Sequence, residues 1–221
     1  MINFVSSEGH TILLAFWMTL KVSAVSAVGS LIAGTVLAAM RVAPLPVLRA
    51  VGTLYVNIFR NTPLTLIILF CGLGLGSIVS VATVQTTNYF WLAVFGLVAY
   101  TSAFVCEVLR SGINTVPLGQ AEAARSIGLS FGQIMRIVVL PQAFRAVIGP
   151  LGSVLIALIK NTTIAAAIGV PEAFYTMRNE LQNYGDIVIP IFAGYALFFV
   201  ALTLPAGLLF GWMAKRWQVA R

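Results

Sequence analysis

Residues 122–141 read EAARSIGLSFGQIMRIVVLP, a polar and basic segment in a chain that is otherwise strongly apolar. Hydrophobic residues make up 60% of the 221 residues, charged residues only 9%, and the mean hydropathy is +0.99. A soluble domain of this size usually carries about 25% charged residues. A helix embedded in lipid does not tolerate the charges of residues 122–141. We therefore predict that this segment lies outside a membrane that the rest of the chain crosses.

Five apolar stretches are long enough to cross roughly 30 Å of hydrocarbon as helices. We predict five spans, one within residues 12–40 and the others at about 54–76, 89–109, 146–169 and 187–214. The expected fold is an all-α integral membrane protein with one transmembrane domain over residues 1–221. The first residues lack a basic region and a small-residue cleavage site, so no removable signal peptide is expected.

The basic residues predict the orientation of the spans, because connections rich in Lys and Arg stay in the cytoplasm. Nine bases fall after spans one and three and in the C-terminal tail: Arg41, Arg49, Arg110, Arg125, Arg136, Arg145, Lys215, Arg216 and Arg221. The opposite side has one base, Arg178, and the acids Glu8, Glu172, Glu180 and Asp186. We predict an external N-terminus, a cytoplasmic C-terminus, a cytoplasmic loop at 110–145 and an external loop at 170–186.

Composition and residue spacing argue against several other features. The net charge of +7 reflects the topological bias, so it does not indicate a nucleic-acid partner. Cys71 and Cys106 lie in apolar runs without zinc-site or disulfide spacing, and we predict that both are buried. Small residues recur every four positions at Ser26, Ser30 and Gly34, a pattern that predicts close helix packing within this subunit or with another.

Lys160 is the deepest cation in the predicted spans. It lies about 22 Å from Arg145 and about 16 Å from Pro171 along a helix, so it reaches neither membrane surface comfortably. A charge at that depth costs at least about 2.5–3.5 kcal/mol and nearly always faces a cavity or a partner. Polar residues follow it at Asn161 and Thr162.

A second polar cluster is Arg60-Asn61-Thr62-Pro63. Counting back from Ser77 along a straight helix places Arg60 about 5 Å from the cytoplasmic surface. Both clusters together predict a route for a polar, anionic solute, lined by Lys160, Asn161, Thr162, Arg60, Asn61 and Thr62. The alternatives are a structural ion pair for Lys160 and simple snorkelling to the surface for Arg60.

The segment 122–141 itself predicts two helices joined by a glycine turn. Gly128 suits the position just after a helix, and Ser130 with Gln133 forms a capping-box pattern for the next one. An apolar stripe at Ile134, Ile137 and Val138 follows, and Pro141 is expected to stop or redirect the chain. On physical grounds alone, this is either an ordinary amphipathic loop or a docking element for a soluble partner.

Four motifs then resemble those of the permease subunits of ABC importers. Glu122-Ala123-Ala124, Gly128, Val138 and Leu140-Pro141 resemble the EAA loop, in which isoleucine is usual in place of Val138. RNTPL at 60–64, EVLRSGI at 107–113 and KNTT at 160–163 resemble elements of the polar amino acid branch of that family. The resemblance runs from about residue 12 to 215. Stretches 60–71, 111–126 and 158–169 are also similar to actinobacterial glutamate-uptake permeases.

This resemblance implies an ATP-driven importer in the plasma membrane of a bacterium. The EAA segment between spans three and four would be the coupling helix, whose Glu122, Ala123, Ala124, Arg125 and Gly128 contact a dimer of cytoplasmic ABC ATPases. Those ATPases would bind ATP and Mg, since this chain lacks the G-x-x-x-x-G-K-[ST] phosphate loop and is a transport subunit rather than an enzyme. The other implied partners are a second permease subunit (related or identical), an external amino-acid-binding protein and membrane lipid.

Asn161 narrows the expected substrate. Some members of the family have Asp at this position, whereas a neutral Asn leaves the field of Lys160 uncompensated. We therefore expect glutamate first, and aspartate or glutamine next. The alternatives are a permease of the same family for basic amino acids and an ion-coupled secondary transporter. The latter would also place a lysine and a broken helix near the middle of the membrane.

Overall fold

The computed structural model describes residues 2–79 and 86–217, and the regular elements in those ranges are helices. Four are long and apolar enough to cross a membrane: Glu8–Val42, Tyr89–Asn114, Phe131–Ile168 and Val188–Trp217. A fifth crossing is made only if the bent pair Pro46–Asn61 and Leu64–Leu75 counts as one span. The predicted all-α membrane fold is confirmed. Arg221, one of the nine bases in the orientation argument, lies outside the described residues.

The elements follow one another through the chain with short connections. They are α1 (Ile2–Val42), α2 (Pro46–Asn61), α3 (Leu64–Leu69), a π-helical turn (Phe70–Leu75), α4 (Gly76–Val79), α5 (Thr86–Asn114), α6 (Leu118–Ser126), α7 (Phe131–Gln133), a second π-helical turn (Ile134–Val139), α8 (Leu140–Asn161), a 3-10 helix (Thr162–Ile168), α9 (Ala173–Asn183) and α10 (Val188–Trp217). Predicted spans one, three, four and five correspond to α1, α5, α8 with its 3-10 extension, and α10.

The α1 and α5 helices pack side by side in the same direction. A Cβ atom on Gly34 would lie 2.6 Å from the Cβ of Val105, so this approach requires glycine. Ser26 and Ser30 are fully buried, and the small-residue stripe therefore packs within the subunit, the first of the two predicted options. Cys106 of α5 is a free, buried cysteine, as is Cys71, which confirms that prediction.

The antiparallel packing of α8 against α5 and α10 completes the bundle. Gly112 of α5 contacts Val147, and Gly152 of α8 contacts Phe210. The C-terminal ends of α1, α5 and α10 therefore lie with the N-terminal end of α8. We call this the basic end, because Arg41, Arg110, Arg145 and Lys215 are there, and we call the opposite end, with Glu8, Glu172 and Glu180, the acidic end.

The second predicted span, residues 54–76, is wrong as a single straight helix. The chain bends by 102° between Asn61 and Leu64, because Pro63 lacks the N–H that would continue the α2 hydrogen bonds. The α2 helix instead lies across α1 and α5: Gly52 sits against Arg41, and the Tyr55 hydroxyl donates to the Ala99 carbonyl at 3.0 Å. The depth predicted for Arg60, which assumed a straight helix, no longer applies.

Candidate functional site

The first candidate site is the predicted coupling segment at the basic end. Helix α6 carries Glu122, Ala123, Ala124 and Arg125. Ala124 is buried in an apolar cluster with Val116, Ile134 and Val139, whereas the other three side chains are exposed. Glu122 and Arg125 form no ion pair in the described part of the chain. One face of α6 thus anchors the segment and the other presents a carboxylate and a guanidinium to the outside.

A glycine turn ends α6, as predicted. Gly128 adopts a φ of +88°, in the left-handed region that favours glycine. Its N–H donates to the Arg125 carbonyl at 2.9 Å, and the Leu129 N–H donates to the Ala124 carbonyl at 3.2 Å. These bonds satisfy the last carbonyls of the helix. Beyond the turn, the Gln133 side-chain oxygen accepts from the Ser130 N–H at 2.8 Å, so the predicted capping interaction is present.

The helix after this cap departs from the predicted pattern. A π-helical turn over Ile134–Val139 widens the backbone, so the buried pair is Ile134 and Val139 rather than the predicted stripe that included Ile137. Ile137 is exposed. Pro141 does not stop the chain, since the helix continues through it into α8. The π turn directly before Pro141 relieves the hydrogen-bond and steric conflict that proline causes in a regular α-helix.

The second candidate site is the bend after Arg60. The Asn61 side chain donates to the Asn57 carbonyl at 2.7 Å, and the Thr62 hydroxyl donates to the Ile58 carbonyl at 2.8 Å. Both side chains therefore satisfy carbonyls that α2 leaves free at its end. This local role accounts for two of the polar residues that the sequence assigned to a solute path.

Arg60 belongs to a cluster of charged residues that was not predicted from the sequence. Glu107 of α5 contacts Arg41 of α1 through Oε1, and its Oε2 lies 3.2 Å from Arg110 Nη2 and 3.5 Å from Arg60 Nη1. The guanidinium of Arg60 also lies over the Phe104 ring, 5.8 Å from its centroid. Only the Glu107–Arg110 contact, at i and i+3 on one helix, was visible in the sequence.

The third candidate site surrounds Lys160 in the last turn of α8. Lys160 is exposed and Asn161 is half-buried. Thr162 is fully buried, and its hydroxyl donates to the Ile159 carbonyl at 2.7 Å. A 3-10 helix then leads to Gly169, whose φ of +86° turns the chain toward α9. Lys160 and Asn161 are thus the members of this group that present polar atoms at the surface of the subunit.

The structure places the two polar breaks on neighbouring elements. Leu64 and Ile68 of α3 pack in one core cluster with Ala165 and Ile168 of the 3-10 helix. Gly72 allows Ile168 to approach the π-helical turn that follows α3. The segment that follows Arg60 therefore contacts the segment that follows Lys160. Whether the two cations face one common path is not fixed by this contact and stays a prediction.

The acidic end contains a buried carboxyl that sequence reasoning counted only as an external charge. Glu172 caps α9, with its side chain accepting from the N–H groups of Phe174 at 2.9 Å and Tyr175 at 2.8 Å. Burial raises the pKa of Glu172 to about 7, although both hydrogen bonds oppose the rise. The Thr19 hydroxyl accepts from the Ala173 N–H at 3.0 Å, which ties α9 to α1.

Glu180, which lies further along α9, is a second buried carboxyl. It is 4% exposed and lies beside the Tyr195 hydroxyl. Burial raises the pKa of Glu180, the nearby Glu8 raises it further, and the adjacent Tyr195 hydroxyl opposes the change. The external loop predicted at 170–186 is therefore an ordered helix that rests on the bundle.

Comparison with known proteins identifies relatives over almost the whole chain. Residues 29–219 match the family described as the binding-protein-dependent transport system inner membrane component. The chain is 50% identical over 220 residues to the glutamate transport system permease protein GluC of Corynebacterium efficiens, which covers 96% of both chains. It is 49% identical to the protein of the same name from Corynebacterium glutamicum over the same shares. A crystal structure of an amino acid ABC transporter with histidines matches 98% of each chain, with a TM-score of 0.86 and 25% identity.

Proposed function

Because this chain belongs to the family of binding-protein-dependent transport system inner membrane components, we propose that it is the permease subunit of an ATP-driven glutamate importer. The observation that carries the proposal is the sequence identity of 50% and 49%, over 96% of the chain, to two permeases named for glutamate transport. Relatives of this family are membrane transport subunits, and the chain crosses the membrane with four helices, or five with the bent pair. After glutamate, we expect aspartate or glutamine to be the transported amino acid.

In this proposal the basic end faces the cytoplasm. The support is the asymmetry of bases along the sequence, together with helix packing that brings Arg41, Arg110, Arg145 and Lys215 to one end of the bundle. The N-terminus and α9 are then external. The segment 110–145 lies on the cytoplasmic side, where a soluble motor can reach it.

Helix α6 is the coupling helix in this proposal, and it docks into a groove of an ABC ATPase. Its support is the exposed Glu122, Ala123 and Arg125 on a helix that Ala124 anchors, followed by the turn at Gly128. Ile127 and Leu118 at its two ends are 79% and 80% exposed, so the segment offers apolar contact area beside its charges. ATP and Mg would bind to the ATPase dimer, and hydrolysis would take place there.

The remaining partners follow from the family description and from the shape of the subunit. A binding-protein-dependent system requires an external protein, which here delivers an amino acid to the acidic end. A second permease subunit, related or identical, completes the solute path. Lys160, Asn161 and Arg60 are our leading residues for that path, because their side chains are at least partly exposed in the single subunit. Asn61, Thr62 and Thr162 are weaker members, since each has a local hydrogen-bond partner or is buried.

The test is uptake by proteoliposomes that contain this chain with its co-purifying permease and ATPase, plus the binding protein. We expect uptake of labelled glutamate that requires ATP and exceeds the uptake of basic amino acids. Glu122→Gln should abolish most of it, because the coupling helix loses its charged contact. Asp186→Asn, the same change at an exposed carboxylate of the acidic end, should leave uptake unchanged.

Three results would each refute a part of this proposal. Uptake driven by an ion gradient without ATP would mean that the chain belongs to a secondary transporter. Preferential uptake of basic amino acids would preserve the importer but refute glutamate as its substrate. Equal loss in both carboxylate variants would remove the support for α6 as the coupling helix.

A further inference from the structure

We infer that Glu107 is a positioning residue for the solute path. It holds the guanidinium of Arg60 at the bend between α2 and α3, so that the free side of this guanidinium pairs with a carboxylate of an anionic solute. This inference rests on the proposed function, because it deepens the role given there to Arg60. It adds to that function a residue that itself need not touch the solute.

The charge of the cluster is the first argument. Three guanidinium groups, those of Arg41, Arg60 and Arg110, share the single carboxylate of Glu107. Three positive charges against one negative charge leave these four residues with a net charge of +2. A partly exposed cluster with this excess of positive charge attracts anions. The cluster is therefore suited to accept an additional carboxylate.

The three arginines are not equivalent. The Arg41 side chain is 12% exposed and is hydrogen-bonded to Glu107, and Arg110 donates to the same carboxylate at 3.2 Å. Arg60 lies at 3.5 Å, makes no side-chain hydrogen bond within the described residues, and is 45% exposed. A guanidinium has five N–H donors in a planar fork that matches a carboxylate. Arg60 is the most exposed of the three and the one whose side chain makes no hydrogen bond in the described part of the chain, so its donors are the most accessible to a solute.

Helix α5 fixes Arg60 from one side only. Phe104 lies beneath the guanidinium plane and Glu107, one helical turn later, lies beside it. These two contacts hold the group on its α5 side, while 45% of the Arg60 side chain stays exposed. The position of Glu107 is itself fixed. Helix α5 packs along α1, and Arg41 of α1 contacts the same carboxylate.

The location of Arg60 is the last argument. It lies in the final turn of α2, directly before the 102° bend. Beyond the bend, α3 packs against the 3-10 helix that follows Lys160. The segment that follows Arg60 therefore packs directly against the segment that follows Lys160, the other predicted cation of the path.

A purely structural ion pair would give the same contacts, so the test must separate the two roles. A positioning residue acts through Arg60, and its effect on transport disappears once Arg60 is removed. A structural residue acts on its own, and its effect multiplies with that of Arg60. A double-mutant cycle on uptake distinguishes these outcomes.

The experiment uses the complete reconstituted complex with its binding protein and compares wild type, Arg60→Gln, Glu107→Gln and the double variant. We expect each single change to lower ATP-driven glutamate uptake about fivefold or more, a size typical of coupled neighbours. The double variant should transport no more slowly than Arg60→Gln. Glu107→Asp, which keeps the charge, should regain most of the uptake. Arg178→Gln is the matched control, because Arg178 also lies over an aromatic ring, that of Tyr175, but far along the chain at the acidic end.

Stimulation of ATP hydrolysis by the binding protein is measured in parallel and should persist in the control Arg178→Gln. Co-purification of the partners verifies assembly, and Glu107→Ala replaces Glu107→Gln in the cycle if the latter does not assemble. Losses that multiply in the double variant, or normal uptake by Glu107→Gln, would overturn the role of Glu107 while wild-type glutamate uptake remains intact. A wild-type complex that imports only basic amino acids would instead refute the proposed substrate, and with it the pairing to Arg60.

Discussion

At the scale of single residues, the ionisation of Glu172 should be visible in stability. Its pKa in the folded chain is raised from 4.5 to about 7, so the folded state binds more protons than the unfolded state between these values. Stability should therefore fall as the pH rises through that window and level off above it. Glu172→Gln, which keeps one acceptor for the α9 N–H groups, should show a smaller fall. The thermal unfolding midpoint of the detergent-purified protein, measured from about pH 4.5 to about pH 8, tests this.

Glu180 should contribute a fall of the same sign, so some pH dependence should remain in Glu172→Gln. Asp186→Asn, at an exposed carboxylate near the end of the same loop, should reproduce the wild-type profile. Identical profiles for Glu172→Gln and wild type would show that Glu172 does not hold a proton in the folded protein.

Asn161 is the residue from which the charge of the substrate is predicted, and this prediction also belongs to the residue scale. Asn161→Asp places a negative charge next to Lys160 and opposes an acidic solute, so glutamate uptake should drop about tenfold, the effect of ~1.4 kcal/mol on the rate. The control is Asn183→Asp, the same change at an exposed position that ends α9. Unchanged glutamate uptake in Asn161→Asp would disprove the link between Asn161 and substrate charge.

At the scale of helices, glycine has opposite roles in α1 and α10. Gly34 contacts Val105 and the Ser102 carbonyl, whereas Gly194 faces open space. Gly34→Ala should destabilise the protein by about 1–3 kcal/mol through overpacking. Gly194→Ala should stabilise it by about 0.5–1 kcal/mol, since alanine favours a helix. Thermal unfolding midpoints of both variants test this, and equal shifts would contradict the α1–α5 contact.

Helices were more predictable than their irregularities. Long apolar runs predicted four of the candidate spans to within a few residues at most ends. Gly128, Ser130 and Gln133 predicted the turn and the helix cap within residues 122–141. Pro63 signalled a break, but continuous hydropathy through residues 54–76 concealed its 102° angle. The π-helical turn before Pro141 was hidden for a related reason, since a wide turn leaves no trace in a pattern interpreted with 3.6 residues per turn.

At the scale of the whole molecule, the unpredicted features are those that join distant parts of the sequence. Arg41, Arg60 and Glu107 come from three helices, and their meeting depends on the bend that lets α2 lie across α1 and α5. The burial of Glu172 likewise depends on α9 resting against α1. Sequence reasoning proposed the cations of the candidate path and the coupling residues, and both assignments stay predictions. It missed Glu107 because nothing in its local spacing indicates a carboxylate shared by three arginines.

The bend after α2 has a consequence for the lipid around the protein. From Leu64 to Val79 the chain is helical, and at about 1.5 Å per residue it reaches only about 24 Å. The hydrocarbon of an average bilayer is roughly 30 Å thick, so these described residues by themselves cover less than its full thickness. Leu66, Phe70 and Leu73 are exposed along this segment. Such a mismatch is relieved by local thinning of the bilayer or by tilting of the helix. The acyl-chain length of the surrounding lipid therefore acts mechanically on the bend between α2 and α3, next to Arg60.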